Sequence, residues 1–401
     1  MVAGRLVRSH FWANAVCIQA ALVLLLAASQ LPAILPSNAA AAAASVLHTL
    51  SRRGLNEEDR ARTTAGYYEG LMNEGATMTG NRITALLAAR ADNWHEFEVL
   101  TRVNRRRRDF LYYDFKPNLE VPYPGGRLLT NDFGMADQPY TLNKPAQVRR
   151  LALVGDSIAR GFGVPTGYGF EPLLEDRLNR TAHDNGRRTF EILNFAVEGY
   201  RITQMLDVAL DRASAFDPDV YLLALTDLSI SRTWGDHLAQ LVHDGIDLKY
   251  EFLTALARHA QLDTADDRTT FTAKLAPYCS PAVRAVLLAL QSHAQQHAAA
   301  LVVLLVPTAD DTQLVAARFA DTVHLLQDLD IPFVDLLDSF AGTTDLAALR
   351  LGPGNFHPNR AGHRLLFENL HRKLMASARL RAAVLGPDEA TQSAGIASAR
   401  P

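Results

Sequence analysis

Two short sequence blocks hold residue types that could act together in nucleophilic catalysis. In the first, Gly155, Asp156 and Ser157 directly follow residues 151–154, which have the length and composition of a buried strand. A serine at such a strand-to-helix turn projects into the ligand crevice at the carboxyl edge of a sheet, where helix amides can stabilise an oxyanion. Taken alone, the block is equally well explained by a turn whose serine caps a helix.

The second block holds His357, the candidate general base. It follows the last predicted strand, residues 333–336, and Pro358 and Asn359 then begin a helical pattern. Because this loop also lies at the carboxyl edge of the sheet, its histidine can reach a nucleophile on the first loop. A structural loop histidine would explain His357 taken alone. Because Ser157 follows the first strand and His357 follows the last strand of one alternating domain, the two together favour a catalytic Ser-His arrangement.

Five short apolar segments alternate with amphipathic helical patterns over residues 149–385. The segments mostly lack polar interruptions, which is typical of parallel strands covered on both faces. The alternation predicts an α/β fold class, with three α/β/α layers around a mostly parallel, doubly wound sheet. The predicted strands are residues 151–154, 190–195, 220–225, 301–306 and 333–336.

Three further stretches surround or interrupt this alternation. Residues 229–281 are predicted to form a helical insertion or lid. Residues 46–148 are predicted to be a lead-in, first helical and then extended, because Tyr, Pro, Gly and Asn become frequent after residue 109. Within it, the basic run 105–108 favours a solvated helix face or an acid-paired patch over polyanion binding. Residues 386–401 are small and polar and are predicted to be disordered.

The N-terminus has the pattern of a targeting segment. Arg5 and Arg8 precede an apolar run over residues 11–36, and residues 39–44 are alanines. A basic flank, an apolar centre and small residues indicate a cleaved export signal or an uncleaved membrane anchor, and disfavour a buried core helix. Residues 1–45 are therefore expected to direct the chain out of the cytoplasm, to the periplasm or cell surface, with membrane contact through this segment if it is uncleaved.

Composition disfavours several other classes of function. The 40 basic and 43 acidic residues nearly cancel, so no global field favours a nucleic-acid partner. Cys279 is the only cysteine after the apolar run, which excludes an intrachain disulfide or a cysteine metal cluster there. His357 and His363 are too far apart for two ligands on one helical face. No glycine-rich nucleotide fingerprint follows a strand. We therefore expect no metal and no cofactor.

The two blocks resemble the first and last sequence blocks of the SGNH (GDSL-type) hydrolase family. The resemblance covers residues 149–380 and implies a three-layer α/β/α fold, with ester hydrolysis or acyl transfer by a serine. A second likeness, to the lead-in of SGNH proteins associated with bacterial cell-surface polysaccharides, is carried by residues 130–135 and 144–145. The residues that carry the family resemblance are Gly155-Asp156-Ser157, Gly161, Gly163 and His357-Pro358-Asn359.

The family's oxyanion hole is formed by the amide of the nucleophilic serine, a glycine amide and an asparagine side chain. In this chain, the resemblance implies that the serine amide is that of Ser157. Gly199, after the second predicted strand, supplies the glycine. The third strand ends in Thr226 and Asp227, so the threonine takes the asparagine's place. A threonine hydroxyl is shorter and has one donor, and one such donor is worth about 2.7–4 kcal/mol of transition-state stabilisation. Residues expected to support the motif are Gly155, Asp156, Asp227 and Pro358.

A second departure concerns the acid that orients the histidine. The family places it two or three residues before the histidine, where this chain has Asn355 and Gly354. The imidazole is then oriented by Asn355, by a backbone carbonyl, or by a more distant acid such as Asp345 or Asp338. Without a standard carboxylate, its pKa is expected to lie close to or below its ordinary value of about 6.5.

The resemblance implies a serine esterase or O-acyltransferase, and the N-terminal segment is expected to place it outside the cytoplasm. Its expected partner is an acylated carbohydrate or another small ester, with an O-acetyl group on a cell-surface carbohydrate as the first choice. The two departures leave open a degenerate domain that binds acylated glycan without turnover, and a purely structural envelope protein is a further alternative. Retention of both Ser157 and His357 favours the enzyme.

Overall fold

A parallel sheet between two helical layers forms the centre of the structure. The computed structural model describes residues 102–184, 189–230, 234–352 and 354–386. The strands are β1 (Asn104–Arg106), β2 (Tyr113–Phe115), β3 (Glu120–Tyr123), β4 (Gly126–Leu129), β5 (Val148–Val154), β6 (Thr189–Asn194), β7 (Val220–Leu225), β8 (Ala300–Leu305), β9 (Phe333–Asp335), β10 (Arg350–Gly352) and β11 (Asn355–Pro358).

Helices follow or connect the central strands. The α-helices are α1 (Ser157–Arg160), α2 (Phe170–Asp184), α3 (Ile202–Asp207), α4 (Asp227–Ile230), α5 (Asp236–His243), α6 (Glu251–His259), α7 (Arg268–Leu275), α8 (Cys279–Gln296), α9 (Thr312–Asp328), α10 (Arg360–Ala376) and α11 (Ala378–Leu385). A π-helical segment continues α3, and short 3₁₀ turns occupy Ser214–Phe216, Ala276–Tyr278 and Leu346–Leu349.

The central sheet contains five parallel strands in the spatial order β6-β5-β7-β8-β9. These are the five strands that the apolar segments predicted, so the α/β class and the parallel sheet are confirmed. The chain runs from β5 to β6 on one side and then to β7 on the other. Such a change of direction opens a crevice at the carboxyl end of the first strand. The residues that follow β5 therefore lie where a ligand is expected.

Neighbouring residues of each central strand face two separate apolar cores. In β5, Leu151 and Leu153 pack in the core shared with α2, α10 and α11, whereas Ala152 and Val154 pack in the core shared with α3, α8 and α9. Each fully buried leucine or valine contributes about 1.5–3 kcal/mol of transfer free energy. Both faces of the sheet are therefore anchored, which holds the ends of the strands in fixed positions.

From residue 104 onwards, the lead-in forms short strands joined by turns. Strand β1 pairs with β2, and β3 pairs with β4 in a hairpin. In the basic run, Arg105 and Arg107 form ion pairs with the buried Asp114, and Arg106 pairs with Asp244. The acid-paired interpretation of the run is therefore confirmed. The helix-face alternative is wrong, because Arg105 and Arg106 belong to β1.

Three helices, α5, α6 and α7, occupy the predicted insertion and pack apolar side chains onto the core that contains α8. The predicted targeting segment, the predicted helical stretch up to residue 101 and the predicted tail from residue 387 lie outside the described residues. Within the ranges that the structure describes, none of the helices has both the length and the apolar character that crossing a membrane requires.

Candidate active site

The turn after β5 places Ser157 at the first position of α1. The turn is tight: a Cβ on Gly155 would lie 2.5 Å from the Cβ of Ala159 and 3.1 Å from that of Ala224. Asp156 caps the helix, because its carboxylate accepts a hydrogen bond of 3.0 Å from the amide of Ile158. The serine hydroxyl is thereby held at the carboxyl edge of the sheet and at the positive end of a helical turn.

His357 lies within hydrogen-bonding distance of the serine hydroxyl. The histidine lies in β11, which pairs with β10 in a short antiparallel hairpin just before α10. Its Nε2 is 2.7 Å from the Oγ of Ser157. The serine is fully buried and the histidine is 8% exposed, with the Phe162 ring 5.1 Å from the imidazole. The structure therefore joins the two predicted residues in a hydrogen bond shielded from solvent.

Asn355 orients the imidazole. Its Oδ1 lies 2.8 Å from Nδ1 of His357 and also accepts a hydrogen bond of 3.1 Å from the backbone amide of the same residue. Because an amide oxygen is an acceptor only, Nδ1 carries the proton and Nε2 presents its lone pair to the serine. This is the tautomer that a general base needs.

The two distant acids have other partners. Asp345 caps the 3₁₀ turn Leu346–Leu349 by accepting from the amides of Ala347 and Ala348. Asp338 accepts from Lys373 and Asn369 of α10. Of the alternatives that the sequence left open, the structure therefore favours Asn355, and the assignment of Asp345 or Asp338 as the orienting acid is corrected.

Burial keeps the imidazole neutral. Desolvation lowers the pKa of His357 to about 3, and the positive charge of Arg160 adds to the effect. The direction agrees with the expectation that the pKa lies close to or below its ordinary value. A neutral imidazole accepts a proton from the serine at neutral pH, but the imidazolium that forms receives no carboxylate support from Asn355.

Gly199 lies on the loop after β6, close to the nucleophile turn. Its φ of +78° is in the left-handed region that favours glycine. Within the described residues its amide donates no hydrogen bond to the backbone or to a side chain. Asn194 ties this loop to α1, because its Nδ2 donates to the carbonyl of Ala159 at 3.0 Å and its Oδ1 accepts from the amide of Ala196. This placement suits an amide that faces an oxyanion.

The hydroxyl of Thr226 does not have the role expected of it, which was to donate a hydrogen bond to the oxyanion. The residue is fully buried at the end of β7, and its hydroxyl donates to the Oδ2 of Asp156. A threonine hydroxyl has a single proton, so this proton is not available to an oxyanion. Burial raises the pKa of Asp156 to about 6, and the Thr226 hydrogen bond opposes that rise. The threonine therefore stabilises the residue that caps the nucleophile helix and does not complete the oxyanion hole.

Comparison with known families decides which kind of protein this is. Residues 153–365 match the model of the GDSL-like lipase/acylhydrolase family. The chain belongs to this family. The match begins in β5 and ends in α10, so it includes both Ser157 and His357. Because it covers more than half of the chain, it establishes a hydrolase of the esterase or acylhydrolase kind.

This GDSL-type hydrolase is also similar to several solved structures. A variant of Axe2, an acetyl xylan esterase from Geobacillus stearothermophilus, has 13% sequence identity, covering 56% of this chain and 94% of that chain with a TM-score of 0.38. The psychrotrophic esterase EstA from Pseudoalteromonas sp. has 13% identity, covering 57% of this chain and 97% of that chain with a TM-score of 0.34. No curated protein matches the sequence.

The remaining motif residues of this GDSL-type hydrolase support the turns on either side of the crevice. Asp227, directly after Thr226, forms an ion pair of 2.6 Å with Arg318 of α9 and so ties the end of β7 to that helix. Pro358 ends β11 and packs closely against α10, where a Cβ on Gly362 would lie 2.8 Å from the proline Cβ. Both contacts fix a segment adjoining the site.

Sequence reasoning missed two charged side chains beside the Ser-His pair. Arg160, the last residue of α1, forms an ion pair with Glu198, and both side chains are buried. The signal that could have found them is their position inside the family blocks. Arg160 follows Ser157 by three residues, and Glu198 directly precedes Gly199.

The Thr226→Val variant of the GDSL-type hydrolase is expected to lose stability more than activity. Valine keeps the shape but leaves the Oδ2 of the buried Asp156 carboxylate without its Thr226 donor, which costs about 1–3 kcal/mol of unfolding free energy. Urea unfolding measures the loss, and Thr254→Val, at an exposed hydroxyl, is the control. A normal unfolding free energy with a rate reduced about 100-fold would return Thr226 to the oxyanion hole.

The pH dependence of the GDSL-type hydrolase is expected to show that no carboxylate stabilises the protonated form of His357. In the wild type, kcat/KM should persist below pH 6.5, because burial keeps the imidazole neutral. Asn355→Asp puts a carboxylate beside Nδ1, which raises the imidazole pKa, moves the acidic limb upward and raises the rate at pH 8. Asn143→Asp adds the same charge at an exposed position. An unmoved acidic limb in Asn355→Asp would contradict this account.

Proposed function

We propose that this GDSL-type hydrolase is a serine esterase or O-acyltransferase whose substrate is an O-acyl group, acetyl first, on a cell-surface carbohydrate. The observation that carries the proposal is the 2.7 Å contact between the Oγ of Ser157 and the Nε2 of His357. A neutral, correctly oriented imidazole at this distance deprotonates the hydroxyl as the serine attacks.

The reaction proceeds through an acyl-serine. Nε2 of His357 takes the hydroxyl proton while Oγ of Ser157 bonds to the ester carbonyl carbon, and the amides of Ser157 and Gly199 face the oxygen that becomes negative. Collapse breaks the bond to the alcohol, which leaves with the proton from His357. Water then attacks the acyl-serine in hydrolysis, or a sugar hydroxyl attacks in transfer, and gives its proton to the histidine. The bond between the acyl carbon and Oγ of Ser157 breaks, Oγ takes the proton back from His357, and the free acid or the new ester leaves.

Two features support a carbohydrate substrate outside the cytoplasm. The first is the likeness of residues 130–135 and 144–145 to the lead-in of SGNH proteins associated with surface polysaccharides. The lead-in also contacts the site, because the Tyr113 hydroxyl donates to the carbonyl of Glu198 at 2.7 Å, next to Gly199. The second is the basic flank and apolar run at the N-terminus.

The substrate proposal is tested with short-chain nitrophenyl esters and acetylated polysaccharides, comparing wild type with Ser157→Ala. Acetate release distinguishes hydrolysis from acetyl transfer to an added carbohydrate. Fluorophosphonate labelling of Ser157 reports a reactive nucleophile. A wild-type protein that binds acetylated glycan, remains unlabelled and releases no acetate would replace the enzyme with a binding protein.

The location has a separate test. In spheroplasts of cells that express the full chain, external protease should digest the protein, because the N-terminal segment is proposed to direct residues from about 46 onward out of the cytoplasm. Protection until the cells are lysed would contradict this location without affecting the assignment of Ser157 and His357.

A further inference from the structure

A buried ion pair connects the nucleophile helix to the loop that carries Gly199. Arg160 is the last residue of α1, one helical turn after Ser157, and its side chain is 7% exposed. Its Nε faces the Oε1 of Glu198, whose side chain is fully buried. The two charges therefore lie on the same two segments that bring the serine and the glycine amide to the site.

The guanidinium has donor capacity that the described protein does not use. Its Nε and Nη2 are both buried, and neither forms a hydrogen bond with any residue in the described ranges, although Nε lies in the ion pair with Glu198. A buried charged donor without an acceptor carries the full desolvation penalty of that group. The cation is held in place, because its central carbon lies 5.0 Å from the Tyr123 ring and 5.5 Å from the Phe162 ring. A fixed, unsatisfied donor of this kind suits a ligand oxygen.

Arg160 is also close enough to act on the catalytic base. The Phe162 ring contacts the guanidinium on one side and lies 5.1 Å from the imidazole of His357. The arginine charge contributes to lowering the pKa of that imidazole. A cation here opposes formation of the imidazolium but stabilises an oxyanion.

We propose that the Arg160 guanidinium donates a hydrogen bond to the ester carbonyl oxygen as it becomes negative during attack by Ser157. This inference rests on the proposed esterase function. It assigns to Arg160 the side-chain donor that the family takes from an asparagine and that Thr226 does not supply. Arg160 is then a catalytic residue, and Glu198, its ion-pair partner, is a positioning residue.

The decisive variant removes both charges, because Arg160→Met alone would leave the Glu198 carboxylate buried without a partner. The Arg160→Met, Glu198→Gln double variant is expected to fold and to hydrolyse nitrophenyl acetate with kcat reduced about 100- to 1000-fold and KM little changed. The matched control is Arg364→Met, Glu368→Gln, which removes an exposed pair on α10. A folded double variant within about threefold of the wild-type kcat would overturn the proposal.

Two further readouts separate catalysis from structure. In an Arg160→Ala, Glu198→Gln variant, added guanidinium chloride at non-denaturing concentration should restore part of kcat, whereas the control variant should not respond. Fluorophosphonate should label Ser157 more slowly in the variant, because its phosphoryl oxygen occupies the oxyanion position. Normal labelling without guanidinium rescue would assign the pair a structural role. A wild type without turnover of any ester would instead contradict the proposed function itself.

Discussion

Replacing Ser157 by alanine is expected to lower turnover at least about 1000-fold and to leave the fold intact. The substitution removes the attacking oxygen and with it the hydrogen bond to Nε2 of His357. It changes neither the cap that Asp156 provides nor the close packing at Gly155, because both depend on other atoms. Initial rates with a nitrophenyl ester, together with circular dichroism and urea unfolding, measure the two effects.

Ser339→Ala is the matched control for this experiment. Ser339 also donates its hydroxyl proton within the domain, to the carbonyl of Leu336, but it lies after β9 on the segment that contacts α10. Its loss should change stability slightly and turnover very little. Undiminished turnover in a well-folded Ser157→Ala protein would reject Ser157 as the nucleophile.

Replacing His357 by alanine is expected to cost nearly as much as replacing Ser157. The two side chains act as one unit, because the serine is a weak nucleophile until the imidazole takes its proton. The double variant Ser157→Ala, His357→Ala should therefore be no slower than either single variant. Rates of all three, measured with one ester at one pH, give this comparison.

The chain offers a matched control in His363. This histidine is also buried, desolvation lowers its pKa to about 3, and its Nδ1 accepts a hydrogen bond from the amide of Phe170. His363→Ala should lower the unfolding free energy and retain turnover in the folded protein. If Asp345→Ala or Asp338→Ala proved as damaging as His357→Ala, a distant acid would complete the triad and the assignment of Asn355 would be wrong.

The central sheet could be predicted because its strands are buried on both faces. Each strand then consists of a nearly continuous apolar run, which can be recognised in the sequence without knowing which strands lie beside it. The final helix shows the limit of such patterns. Its apolar spacing predicts one helix over residues 360–380, whereas the structure breaks it at Ser377, whose hydroxyl caps α11. The short hairpin of β10 and β11 was not predicted, since three- and four-residue strands have too few positions to show a period.

The candidate site, like the fold, could be predicted from the sequence only in part. Residue type and position at the ends of the first and last strands were enough to select Ser157 and His357, because the carboxyl ends of parallel strands meet at one edge. The direction of a side chain could not be obtained from spacing. Only the folded chain aims Asn355 at the imidazole, turns the Thr226 hydroxyl towards Asp156 and buries Arg160 beside Glu198. Asn355 lies two residues from His357 and was one of the alternatives that the sequence offered, whereas the other two contacts join residues far apart in the chain and depend on burial, which local sequence does not encode.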